Sequence, residues 1–165
     1  MYRDTALTLL KYKRWIDAGM LSAIAATDAR SFAAERRKML CLMHHIHVTD
    51  MVVRANLSGV EHPYSGLHEG RTPEAGTLML SMLACSNWYV EHVATILPPA
   101  WDGMLTYRRT DGKMAETSML ALIEQVILHG TRHRGEVSWL INACGGRAPQ
   151  DVASGFLREV LRDIS

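Results

Sequence analysis

Three cysteines, two phenylalanines and five prolines are all that the 165 residues contain of these types. The cysteines (Cys41, Cys85 and Cys144) stand far apart in apolar segments, with no CxxC or CxxH spacing. That excludes a disulfide framework and a cysteine-based zinc site, and predicts reduced core thiols in a cytoplasmic protein. Charge of one sign is also lacking: 18 Lys and Arg face 17 Asp and Glu, for a formal net charge of +1. A chain whose main task is to grip nucleic acid through its phosphates carries a basic excess, and here Arg36-Arg37-Lys38 is only a short basic run. No apolar stretch approaches the roughly 18 residues that a membrane span needs. The N-terminal sequence MYRDTALTLLKYKRW is broken by charges every few residues, unlike a signal peptide. There is no internal repeat and no low-complexity segment. What is present is 48% apolar and 21% charged residues, enough for the core of one domain spanning residues 1–165. Ten methionines and eight histidines stand out. The methionines are explained as fillers of core gaps, and Trp88, Trp101 and Trp139 as packing residues.

Prolines and glycines gather in three patches, Gly59 to Pro73, Pro98 to Gly112, and Gly145 to Pro149, and leave long segments of helical periodicity between them. The pattern predicts an all-α protein, a four-helix bundle with a short hairpin or loop between helices three and four and a short C-terminal helix. Helix one covers about Asp4 to Ala26 and helix two about Ala34 to Leu57. Helix three begins after Thr72-Pro73-Glu74 and ends before Pro98, and helix four runs from near Glu116 to Cys144, where Gly145-Gly146 stops it. Alternation in Leu105 to Met114, with Asp111-Gly112 as a two-residue turn signal, predicts the hairpin. Ser154 to Asp163 supplies the tail helix.

The sharpest chemical signal is His129-Gly-Thr-Arg-His133 in helix four. Residues four apart share a helix face, so both imidazoles can reach one cation. At about 100° per residue they fall in the middle of a stripe made by Leu122, Val126, Val137, Leu140 and Cys144, which places them in the core. Two core histidines satisfied by ordinary hydrogen bonds are the plainer alternative. Against it, helix-interior glycine costs roughly 1 kcal/mol relative to alanine, and Gly130 and Gly135 flank the pair, as if another group came close. Two ligands from one helix call for a third from elsewhere. Helix two offers His44, His45 and His47; its stripe is centred near Ile46 and Val53, so His44 points to solvent while His45 and His47 occupy opposite shoulders, and periodicity does not choose between them. Asp50 falls inside the stripe and needs a partner, for which Arg134 is the candidate. Glu136, at the edge of the helix-four face, is either a proton acceptor, a partner of a ligand or a surface charge. His62 and His68, in the loop after helix two, are expected as solvated residues, with the mouth of a pocket as the alternative, and His92 on a helix surface or at an interface.

These segments, in this order, resemble the DinB family of metal-binding helical bundles. Tyr12-Lys13-Arg14-Trp15 is similar to its helix-one Tyr-Asn-x-Trp segment, and His45-Ile46-His47-Val48-Thr49-Asp50 to its His-Ile-x-x-x-Asp/Glu segment. His129-Gly-Thr-Arg-His133-Arg134-Gly135 is similar to its His-x-x-x-His-Arg-Gly signature, and Phe156-Leu157-Arg158 to a C-terminal segment of one subgroup. The resemblance implies His45, His129 and His133 as metal ligands. His44, His47, Asp17 and Glu136 depart from the family's usual residues and leave the coordination number open.

A site of three imidazoles suits a divalent ion, zinc or nickel first, with iron and copper behind, and keeps a position for water or substrate. The resemblance implies a metal-dependent enzyme of the thiol-dependent S-transferase or hydrolase type, acting on a small thiol or electrophile, in a homodimer. The alternative is a stress-responsive protein in which the metal is structural.

Overall fold

The computed structural model describes residues 2–66 and 71–162. His68 lies outside them. Among the described residues the chain is mostly helical: α1 (Tyr2–Ala26), α2 (Ala33–Leu57), α3 (Ala75–Thr95), α4 (Met119–Ala143) and α5 (Ala153–Arg162), with a 3-10 turn at Pro98–Ala100. Strands β1 (Met104–Arg108) and β2 (Met114–Ser118) form one antiparallel hairpin between α3 and α4. None of these helices is long and apolar enough to cross a membrane.

The long helices form where the apolar spacing places them. In α1 the buried positions Ala6, Leu10, Lys13, Asp17, Met20 and Ile24 recur at three- and four-residue steps, one face of a helix. That face packs most extensively on α3 and then on α4, while α2 packs mainly on α4. The ends of α4 show how local chemistry sets a boundary. Helix four does not begin near Glu116, because Glu116 is in β2 opposite Thr106. The ladder continues to Ser118, whose hydroxyl accepts from the Ala121 amide at 3.2 Å and so caps the helix. At the other end Gly145 takes φ 75°, the left-handed conformation that closes a helix at little steric cost.

The hairpin turn is longer than the two-residue turn expected at Asp111-Gly112. Residues 109–113 connect the strands: the Arg109 amide donates to the Lys113 carbonyl at 2.9 Å, the Gly112 amide to the Arg109 carbonyl at 3.0 Å, and Gly112 sits at φ 79°. A four-residue turn finished by a left-handed glycine replaces the tighter form.

Two apolar clusters fill the interior. One gathers Ile16, Met20, Ile24, Met43, Ile46, Val137 and Ile141; the other gathers Leu10, Val53, Tyr89, Val93, Ile123 and Val126. Lys13 lies between Leu10 and Ile16 on α1, Asp50 between Ile46 and Val53 on α2, and His129, His133 and Arg134 between Val126 and Val137 on α4, while Asp17 and His45 adjoin Ile16 and Ile46 of the first cluster. A polar layer therefore divides the core, and the candidate site lies in it.

Candidate metal centre

His45, His129 and His133 come together. Each offers one ring nitrogen, and these atoms lie within 4.8 Å of one another. The Nε2 atoms of His45 and His129 are 3.0 Å apart, and the three ring centroids are separated by 4.6 to 4.8 Å. Two nitrogens bound to one ion at ~2.1 Å and at 90–110° to each other stand about 3 Å apart, the separation that the His45–His129 pair already has. The His133 Nδ1 lies 3.2 Å from Glu136 Oε1. A carboxylate only accepts, so Nδ1 carries the proton and Nε2 is left with the lone pair, as in many metal-ligating histidines. The His129 Nδ1 is buried without a hydrogen-bond partner, so this ring is held through packing and its Nε2 side. Burial lowers the His129 pKa to about 4, with His45 and His133 adding to the effect, and the ring is neutral at pH 7, the form that a cation needs. The three imidazole donors, with His129 neutral, fit a divalent ion.

The pair on α4 is at the shoulder of the buried face and not in its middle. His129 and His133 are partly buried, while Gly130 and Arg134 beside them are fully buried. Of the two candidates on α2, both are buried, but only His45 reaches the pair; His47 turns to α3, where its Nε2 meets Ser81 Oγ at 2.7 Å. Burial, with the charges of His44 and Lys13, also lowers the His47 pKa to about 4. His44, expected in solvent, is partly buried.

Behind the histidines lies an ionic chain. Lys13 Nζ donates to Asp17 Oδ2 at 2.7 Å and to Asp50 Oδ2 at 2.6 Å. Arg134 Nη1 donates to Asp17 Oδ1 at 2.9 Å, and its Nε donates to Asp151 Oδ2 at 2.8 Å. Tyr12 donates its hydroxyl to Asp151 Oδ1. Burial opposes the charge on Lys13, but Asp17 and Asp50 outweigh it and hold the ammonium above its ordinary range. Burial pushes the Asp50 carboxyl up to about 6, against the pull of Lys13. The partner expected for Asp50 was Arg134; the structure gives it Lys13 instead, while the Arg134 guanidinium is taken by Asp17 and Asp151. Asp17 then bridges the two cations. Lys13, Asp17 and Asp151 are what sequence reasoning missed. Lys13 and Asp17 could have been found, since they occupy two consecutive core positions of the α1 stripe.

Other expectations change at the surface. Cys41 is exposed, 3.1 Å from Thr72 Oγ1, so only Cys85 and Cys144 are buried thiols, and burial pushes Cys85 up to about 12. His62 is buried and its Nε2 meets the Arg108 carbonyl at 3.0 Å, so it ties the loop to the hairpin and does not face solvent. Gly130 does admit close neighbours, Lys13 and Arg134, but a Cβ added at Gly135 would meet open space. Trp139 is 69% exposed and is no core residue. It shares a groove with Lys38, Arg132 and Glu136, next to His133.

The fold and the site thus define a mostly helical protein with a three-histidine cluster that can hold a metal ion. No protein-family model, curated protein or solved structure matches the chain.

Proposed function

We propose that this is a divalent-metal-binding protein of the DinB kind, a four-helix bundle in which His45, His129 and His133 hold zinc or nickel. We further propose that it works as a metal-dependent enzyme of the thiol-dependent S-transferase or hydrolase type. The single observation behind this reading is the convergence of the three imidazoles from α2 and α4. Three neutral ligands leave at least one coordination position to another group. An ion bound there supplies Lewis acidity, which can polarise a carbonyl, acidify water or hold a thiolate.

The remaining tasks fall to the chain's own residues. Glu136 orients His133 through Nδ1 and, being exposed, can take up a proton at the rim. Arg134 ties α4 to Asp17 of α1 and to Asp151 behind the ligands, and Lys13 joins Asp17 to Asp50 of α2. The partial exposure of His129 and His133 leaves a route for a small molecule from solvent. A small thiol or electrophile as substrate, and the homodimer, come with the DinB resemblance and rest on it.

A structural role for the ion is the second reading, favoured by the fact that the ligands come from two helices, so that one ion would pin α2 to α4. Cobalt substitution separates the two. With an open site, titration of a small thiol changes the visible cobalt spectrum, and removal of the ion leaves the far-ultraviolet helix signal in place. An unresponsive spectrum together with unfolding on chelation would select the structural role.

A further inference from the structure

A cavity of about 470 Å³ lies away from the histidines, between the start of α2 and the segment that leads into α3. Arg36, Arg37 and Arg71 line it, and among the described residues the single acid on its wall is Glu74. Arg36 is poorly spent there. Its Nη1 reaches Glu74 Oε2 only at 3.9 Å, the limit of an ion pair, and its Nε is buried with no hydrogen-bond partner. Among the described residues, neither Arg37 nor Arg71 forms an ion pair. Among the described residues on its wall, three cations stand against one carboxylate; Arg36 is half-buried, Arg37, Arg71 and Glu74 are exposed at the rim, and Ala29, Leu40 and Pro73 add apolar wall.

We infer that this cavity binds a small phosphorylated molecule through its phosphoryl group. A guanidinium offers parallel N–H donors that match two oxygens of a phosphate, and an unsatisfied buried Nε is the donor that such an oxygen would complete. A phosphate monoester brings close to two negative charges at neutral pH, against the surplus of two left by three arginines and Glu74. A monocarboxylate would leave one cation uncompensated. The volume is within the range of about 300–1,000 Å³ typical of small-molecule sites, larger than inorganic phosphate alone, and the apolar walls accommodate the uncharged remainder of the ligand. Thr72, also on the wall, adds a hydroxyl donor. Nucleic acid fits less well, because the three arginines line one concave site instead of an extended stripe and the chain as a whole carries a net charge of only +1.

The test is calorimetric titration of the metal-free full chain with pyrophosphate, so that the histidine cluster does not contribute through a bound ion. Saturable binding at millimolar concentration or below is expected, weakened about tenfold or more in Arg36→Met and in Arg71→Met, since each loses a charge-assisted hydrogen bond. Arg132→Met, which removes a cation outside the cavity, should bind as the wild type does. Circular dichroism confirms that the arginine variants fold. Absence of binding by the folded wild-type chain, unchanged binding in both arginine variants, equal affinity for succinate, or preference for duplex DNA would each overturn the assignment. Because no metal is present, failure here leaves the metal site untouched.

Discussion

A Cβ added at Gly130 would stand 3.0 Å from Lys13 Cε and 2.8 Å from Arg134 Nη1. In an ordinary helix interior, alanine in place of glycine stabilises by roughly 1 kcal/mol. Here the neighbours cannot yield, because Lys13 is fixed by two carboxylates and Arg134 by Asp17 and Asp151. Gly130→Ala should therefore destabilise the protein, by about 1–3 kcal/mol in urea denaturation, the usual cost of overpacking. An increase in stability would mean that the polar layer is looser than described.

The Lys13–Asp50 contact leads to a second prediction. Lys13→Met leaves Asp17 and Asp50 buried without the cation between them and should cost about 3–5 kcal/mol. Adding Asp50→Leu removes one stranded carboxylate, so the double variant should be more stable than Lys13→Met alone. Simple additivity of the two losses in a double-mutant cycle would show that the pair is not coupled.

Acid should unfold the metal-free protein in part through His47. The unfolded chain protonates this ring near its ordinary value of 6.5, whereas the folded chain does so only at about 4. Between those values the unfolded state holds more protons, so the stabilisation is present above about pH 6.5 and lost as the pH falls towards 4. Its size is on the order of 2–3 kcal/mol. His129 acts in the same direction, and Asp50, raised to about 6, in the opposite one. The informative quantity is therefore the difference between wild type and His47→Gln in melting temperature across this range, which should be steeper with pH for the wild type. Parallel curves would rule out the assignment.

Glu136 is expected to matter through His133 and not through folding. Glu136→Gln keeps the side-chain size but replaces the charged acceptor at 3.2 Å, and metal affinity should fall about tenfold, at the low end for such partners because the residue is exposed. Competition with a chromophoric chelator measures this. Unchanged affinity would make Glu136 a surface charge.

How far the sequence reaches is visible in these same residues. Helical periodicity located α1, α3 and α4 through their buried faces, whereas α2 is enclosed on all sides from His45 to Asp50; the i, i+4 spacing of His129 and His133 is a property of α4 alone, legible without a tertiary structure. The choice between His45 and His47 is different. Both are buried, and only the packing of α2 against α4 on one side and α3 on the other decides which ring meets the pair. Charge pairing was misread for the same reason: Asp50 was visibly in need of a cation, but several cations were available and proximity in space selected Lys13 over Arg134. The exposure of Cys41 and Trp139 and the burial of His62 likewise depend on neighbours distant in sequence.

The most direct test of the metal centre is elemental analysis of the protein purified without chelator, compared with His45→Ala, His129→Ala, His133→Ala and His47→Ala. Wild type and His47→Ala should each carry close to one zinc or nickel per chain, and each of the other three variants should lose most of it. A wild-type protein that takes up no divalent ion, or ligand variants that retain it in full, would contradict the account.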